Sequence, residues 1–425
     1  MLLQFNFQNF KSFREETTLD MTATGISELK HHIIEIGNER VLPVSAIYGA
    51  NASGKSNIVE AFQYMRHYVL HSFGFGGDPV NKREGFKAVK SKPFLFDSKC
   101  KNEPSVFEVY FTVDFLDTTK VYNYGFSIIQ SEIVEEWLNY KPKANKAAFK
   151  KVFHRTKNNS ISYEGLSERQ RENIDSALEK EALVVSLGAK MRIKRFKEVY
   201  DWFYLNEIAD FGSPRSTYFL STNIPYGFVD NPKVQQDVVR YFSAFDPSIV
   251  GFDVQEQEAD SENRSGKIKI DALHKMNDSE ELVPIPLSSE SAGTLKMFAL
   301  YPLVHDILEF GGVLFVDELN AKLHPLLVRA FMIMFLDPEK NPNHAQLVFT
   351  THDTWHLNNE MLRRDEVWMT EKGNDGVSTL YSLADFVDDN GTKIRKDENY
   401  EKNYLLGKYG AIPQMQSIGI LMEER

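Results

Sequence analysis

The 425-residue chain is short of several things, and each shortage narrows what it can be. It has one cysteine, Cys100, so no intramolecular disulfide can staple it. No cysteines or histidines stand at zinc-site spacing, so no structural zinc is expected. No run of about 18 apolar residues occurs, so no transmembrane helix and no membrane partner are expected. The opening MLLQFNFQNFKSF alternates apolar and polar residues. It lacks the continuous apolar stretch and small-residue cleavage site of a secretory signal, and reads as a strand of the fold. Together with the scarce cysteine this fits a cytoplasmic protein. Positive charge is in deficit: 49 Lys and Arg against 60 Asp and Glu leave a net charge of −11. That argues against a surface built throughout for nucleic acid, while leaving room for a local basic groove. Internal repeats and low-complexity tracts are also missing.

What is present is ordinary for a globular protein: 42% apolar and 26% charged residues. The length suggests a main domain carrying a second lobe. Residues 2–7 and 17–20 read as short strands, and 44–48 (VSAIY) as a buried strand. A helix follows, with Ile58, Phe62, Met65 and Val69 spaced for one apolar face. From 106 to 163, short apolar runs separated by turn signals such as Asn158-Asn159 predict a β-meander. From 166 to about 245 the pattern becomes mainly helical, and the polar, acidic 255–266 reads as an exposed loop or hairpin tip. From 285 the pattern is regular: a helix near 291–309, a strand at 313–316, a helix near 325–336 and a strand at 346–350. Helices alternating with apolar strands imply a parallel sheet. The fold expected is α/β, with a head split between 1–75 and 285–425, a β-meander at 76–165 and a mainly helical inserted lobe at 166–284.

Four motifs carry chemistry. Gly49-Ala50-Asn51-Ala52-Ser53-Gly54-Lys55-Ser56, followed by Asn57, matches the Walker A pattern G-x-x-x-x-G-K-[ST] between a strand and a helix. Its glycines let backbone N–H groups point at phosphate oxygens, and the helix adds the positive end of its dipole. Lys55 suits the β- and γ-phosphates of ATP, and the Ser56 hydroxyl suits Mg²⁺. Val313–Val316 ends in Asp317 and Glu318. A buried strand would deliver both acids to the carboxyl edge of the sheet, Asp317 for Mg²⁺ and Glu318 for the attacking water.

Lys55 and Asp317 lie 262 positions apart, a separation typical of ABC, SMC and RecF-like heads. Such heads need a signature motif one helix before the Walker B acids. Ser291, Gly293 and Thr294 stand there, with Ser291 26 positions ahead of Asp317. An N-cap serine cluster is the structural alternative. Finally, His352 follows the strand 346–350 as a switch histidine would. Leu319–Pro325 then corresponds to the D-loop, with Asn320 and Lys322 at positions that usually hold Asp and Ser. No Q-loop glutamine is assigned.

Two weaker features have bland readings. Residues 141–157 carry seven Lys or Arg and 190–197 carry five, which suits a hairpin and a solvated helix face as well as a nucleic-acid backbone. The meander's aromatics, among them Phe107, Tyr110, Phe111, Tyr122, Tyr124, Phe126 and Trp137, alternate as core residues do rather than as base-stacking platforms.

With NFKSF, YGANASGKSN, EPSVFEVYF, the S-x-G-T signature, VDELNAKLHP, AQLVFTTHDT, LRRDEVW, LYSLADF and KYGAIP in hand, the chain resembles the bacterial ABC/SMC/RecF-like "AAA family" ATPases. Within them it looks most like the RloA and AbiL type associated with phage defence. The resemblance implies ATP and Mg²⁺, a dimer of heads closing on ATP with Ser291, Gly293 and Thr294 acting on the partner's nucleotide, and a separate, nuclease-like effector. It also implies catalytic roles for Glu318 and His352. Related OLD nucleases fuse such a head to a Toprim domain. The 72 residues after Asp353 show no clear D-x-D cluster, so no nuclease site is expected in them. Two rival readings are a RecF-like DNA clamp and a non-hydrolysing scaffold that sequesters a toxin.

Overall fold

The computed structural model describes residues 1–75, 88–115, 118–142, 148–158, 160–212, 224–243, 245–257, 267–388 and 391–413. Two sheets organise it. The first strands are β1 (Leu2–Gln8), β2 (Thr17–Asp20), the small hairpin β3 (Ile34–Ile36) and β4 (Glu39–Val41), and β5 (Val44–Gly49). Helix α1 (Lys55–His71) follows, and then the meander β6 (Ser105–Phe115), β7 (Thr118–Ile129), β8 (Glu132–Lys141), β9 (Lys150–Arg155) and β10 (Ile161–Tyr163). The antiparallel meander is extended by the N-terminal strands into one seven-stranded sheet, ordered β10-β9-β8-β7-β6-β1-β2. Phe107, Phe111, Tyr122, Tyr124 and Phe126 are fully buried in it, whereas Tyr110 and Trp137, expected with them in the core, are half-buried.

Helices α2 (Glu168–Ala177), α3 (Val184–Lys190) and α4 (Lys194–Leu205) come next. A capping box of Ser167 and Gln170 starts α2. On α4, Phe196, Val199, Trp202 and Phe203 form the buried face, and Trp202 stacks on Phe111 with ring centroids 4.2 Å apart. Then come β11 (Glu207–Asp210), α5 (Pro232–Ser243), β12 (Ile249–Gln257), β13 (Lys267–Lys275) and β14 (Leu282–Pro286). Among the described residues, 166–284, expected to be mainly helical, hold the strands β11, β12 and β13 and the start of β14 as well as four helices. β11 left a weak signal because it has only four residues, whereas β12 (IVGFDVQEQ) and β13 (KIKIDALHK) carry apolar residues that the sequence reading passed over. The acidic tip at 258–266, Asn159 and the basic residues 143–147 lie outside the described residues.

The chain ends with α6 (Ala292–Phe310), β15 (Val313–Asp317), α7 (Pro325–Leu336), β16 (Gln346–Thr350), the hairpin β17 (Val367–Lys372) and β18 (Ser378–Ser382), and α8 (Tyr400–Leu405). The second sheet runs β11-β15-β16-β5-β17-β18, parallel except for β18. Its central strands β5, β15 and β16 are buried along their whole length, as parallel strands covered on both faces must be. Helix α1 lies between the two sheets: Phe62 stacks on Phe315 at 4.1 Å and meets Phe5 edge-on at 5.4 Å. On the other face Ala46, Tyr48, Leu314, Val316 and Phe349 pack with α6 and α7. Gln346 stitches the sheets together: its side chain accepts from Leu2 N at 2.6 Å and donates to the carbonyls of Leu2 and Leu42, each at 3.0 Å. Among the described residues, no helix is long and apolar enough to cross a membrane.

Candidate functional site

The carboxyl edge of the parallel sheet gathers the motif residues. β5 hands over to α1 through a loop bent by residues with positive φ: Gly49 (155°), Ala52 (62°) and Gly54 (117°). A side chain at 49 would meet the Thr370 carbonyl oxygen at 2.4 Å, and one at 54 would meet Ser378 Oγ at 2.7 Å, so both positions require glycine. Ser378 Oγ donates to the Ser53 carbonyl at 2.6 Å, and Asn57 Nδ2 donates to Ser12 Oγ at 2.7 Å. The N-terminal NFKSF loop and β18 thereby brace the loop from behind. Lys55 is buried and donates to the carbonyls of Gly49 (2.7 Å) and Ala50 (2.9 Å). Burial pushes its pKa down, and the carboxylates of Asp317 and Glu318 pull it back up. A bound polyanion would supply further negative charge to that ammonium.

Asp317 and Glu318 end β15 beside the P-loop. Thr350 Oγ1 donates to Asp317 Oδ1 at 2.5 Å and accepts from the Glu318 N–H at 2.8 Å, while the Thr350 carbonyl accepts from Leu319 N at 3.1 Å. This pins Glu318 in a left-handed conformation, φ 54°. Ser56, Val59, Glu60, Gln63, Asp210, Gly212, Asp317 and Glu318 line one cavity of about 230 Å³. Ser56, Asp317 and Glu318 therefore share one space, and a hydroxyl beside carboxylates is the oxygen donor set a hard cation such as Mg²⁺ would take. On the other side of the loop, a cavity of about 930 Å³ is bounded by Gly49–Ser53, exposed His352, Glu371 and the C-terminal segment 404–413. Thr350→Val, which keeps the shape and deletes the hydroxyl, should cost about 1–3 kcal/mol of stability. It strands the Glu318 N–H and removes a donor from buried Asp317, and urea unfolding would measure it.

The profile of the family described as "AAA domain, putative AbiEii toxin, Type IV TA system" matches residues 44–354, from β5 to just past His352. The chain belongs to this family. No curated protein matches it. Among solved structures it is similar to an Smc head bound to the C-winged helix domain of ScpA, at 16% identity and TM-score 0.39, covering 90% of this chain and 97% of that one. An Smc head with an extended coiled coil from Pyrococcus furiosus, bound to the C-terminal domain of ScpA, matches at 14% identity and TM-score 0.37 over 90% and 96%. The recombination mediator RecF-ATPrS matches at 14% and 0.35 over 89% and 98%. The fold is α/β, an AAA domain with its P-loop between a parallel strand and a helix.

The residues expected to form the signature and the D-loop meet each other. Ser291 is the N-cap of α6: its Oγ accepts from Thr294 N at 3.1 Å and shares a 2.8 Å bond with Thr294 Oγ1. Gly293 lies against the Lys322 carbonyl, 3.0 Å from where a Cβ would stand. Among the described residues, Ser291, Gly293 and Thr294 line neither cavity beside their own P-loop.

The contacts of Asn320, and the places of Asp210, Gln63 and Lys296, escaped the sequence reading. Asn320 donates to His352 Nε2 at 3.2 Å and accepts from Thr351 Oγ1 at 3.0 Å, so it braces His352 within one chain. Asp210, at the end of β11, stands in register with Asp317 and lines its cavity, and Gln63 of α1 is the glutamine that does so. Lys296 of α6 is buried and donates to the carbonyls of Glu318 (2.7 Å), Leu319 (2.8 Å) and Ala321 (3.0 Å). Burial pushes its pKa down to about 7, opposed chiefly by the Glu318 carboxylate. No local pattern shows these contacts, because each partner is remote in sequence or is backbone.

Several residues of the two basic stretches have partners within the chain. Lys190 sits over the Phe73 ring, Arg195 over Tyr140, and Lys197 pairs with Asp201 at 2.6 Å. Arg155 is buried and donates to the Ala182 carbonyl.

Proposed function

We propose that this chain hydrolyses ATP between two copies of itself and thereby controls a separate effector protein in bacterial phage defence. The observation that carries the proposal is the shared cavity of Ser56, Asp317 and Glu318 beside the Lys55 loop. In this reading Lys55 exchanges the carbonyls of Gly49 and Ala50 for β- and γ-phosphate oxygens. Ser56 and Asp317 hold Mg²⁺, which when bound neutralises phosphate charge. Glu318 accepts the proton of the attacking water, and His352, steadied by Asn320, contacts the γ-phosphate. Ser291, Gly293 and Thr294 act on the partner copy's nucleotide, which is consistent with their standing outside both cavities of their own loop. Residues 1–75 and 285–425 would form the head, with β11 lent to its sheet by the intervening segment. A toxin–antitoxin pair, the setting named in the family's description, would use the same chemistry.

ATP binding and turnover by the purified chain, with and without double-stranded DNA or RNA, test this. Wild type should hydrolyse ATP regardless of nucleic acid, and Lys55→Ala should weaken ATP binding by about 1.5–3 kcal/mol, the worth of a hydrogen bond to a charged group. Strong stimulation by nucleic acid with steep salt dependence would instead favour a DNA clamp. Tight ATP binding without turnover would favour a scaffold.

A further inference from the structure

The ammonium of Lys296 is surrounded in an unusual way. It comes from the first turns of α6, whose N-cap is Ser291, and reaches into the chain that leaves β15. Its three N–H donors meet three carbonyls, those of Glu318, Leu319 and Ala321. Phe211, just past β11, covers it at 4.2 Å from nitrogen to ring centroid. The segment it holds is tightly folded: Ala321 N donates to the Glu318 carbonyl at 3.0 Å, Leu323 N donates to the Asn320 carbonyl at 3.1 Å, and Glu318 and Lys322 both have positive φ. Carbonyls that converge this closely repel one another unless a cation sits between them. The same segment carries the Glu318 side chain toward Ser56 and the Asn320 amide to His352.

We infer that Lys296 is a positioning residue for hydrolysis, tying the signature helix to the Glu318–Ala321 backbone and so setting where the Glu318 carboxylate stands. The inference rests on the reading of Glu318 as the acid that activates water. It predicts an effect on kcat rather than on nucleotide affinity, because Lys296 lines neither cavity at the P-loop. It also predicts that arginine cannot substitute, since a planar guanidinium presents its donors as a fork and cannot converge them on three carbonyls around one nitrogen.

The test compares full-length wild type, Lys296→Met and Lys296→Arg by ATP affinity, ATP turnover and amide hydrogen exchange. In both variants, exchange across 318–323 should rise about tenfold while that of β5 and β16 stays unchanged. The kcat should fall about 10²-fold, as expected when a reacting group is displaced by about an ångström, with ATP affinity held. Unchanged exchange across 318–323 in a folded variant would overturn the inference, and so would a fall in affinity with kcat intact. Should Lys296→Met fail to fold, Lys296→Arg, which keeps the charge and most of the stem, decides on the same readouts. If wild type itself does not hydrolyse ATP, the catalytic reading of Glu318 fails on its own. The exchange measurement then still decides whether Lys296 holds the segment.

Discussion

Glu318→Gln should lower ATP turnover by about 10²–10⁴-fold, the usual contribution of a positioned general base, while ATP still binds. The amide matches the carboxylate in size but cannot take a proton, so the backbone geometry at 318 should persist. That geometry is set from outside the side chain, by the Thr350 hydroxyl on its N–H and by Lys296 on its carbonyl. Lys55, Ser56 and Asp317 are untouched, so the affinity for Mg-ATP should stay near that of wild type. If heads close on ATP, the mutant should accumulate as an ATP-dependent dimer, visible by size-exclusion chromatography. Wild-type turnover in the mutant would show that another group activates water. Asp210 and Glu60, the two further acids lining that cavity, would be the next to replace.

The second large effect concerns stability. LRRDEVW builds a charged cluster almost without solvent. Arg363, Asp365, Glu366 and His32 are all buried. Arg363 grips Asp365 through two bonds, of 2.9 and 2.8 Å, and also donates to the Glu28 carbonyl. Asp365 accepts from Thr24 N and Oγ1, and Glu366 accepts from His32 Nδ1 at 3.0 Å and from Arg363 N at 2.8 Å. Arg364 reaches Glu28 at 2.7 Å. The cluster ties the segment from Thr24 to His32 onto the entry to β17. Arg363→Ala leaves the Asp365 carboxylate buried without its cation, which should cost about 3–5 kcal/mol. Urea unfolding should show a lower midpoint with an unchanged slope. A loss below about 1 kcal/mol would mean that these charges are solvated and behave as a surface pair.

LRRDEVW had marked a family resemblance without a physical role, and this cluster supplies one. KYGAIP is similar: Tyr409 is buried, its carbonyl accepts from Tyr381 Oη at 2.6 Å, and Ala411 N donates to Glu371 at 3.2 Å. The motif therefore walls the larger cavity beside the P-loop.

The sequence by itself determined the nucleotide loop, the two acids after a buried strand, the order of helices and strands from 285 onward, and the meander. These are local patterns. Glycines at 49 and 54, four apolar residues before Asp317, and alternation through 106–128 declare themselves within a few residues. Only the tertiary structure decided what lies beside what. Four-residue β11 becomes a strand because β15 offers it a parallel edge, and that pairing brings Asp210 to Asp317. The N-terminal strands join the meander because β1 pairs with β6 about a hundred residues away. Lys296 looks like any lysine on a helix until the chain after β15 folds back and presents three carbonyls to it. Hydrogen bonds between side chains and distant backbone have no sequence period, so they leave no trace that a linear reading can detect.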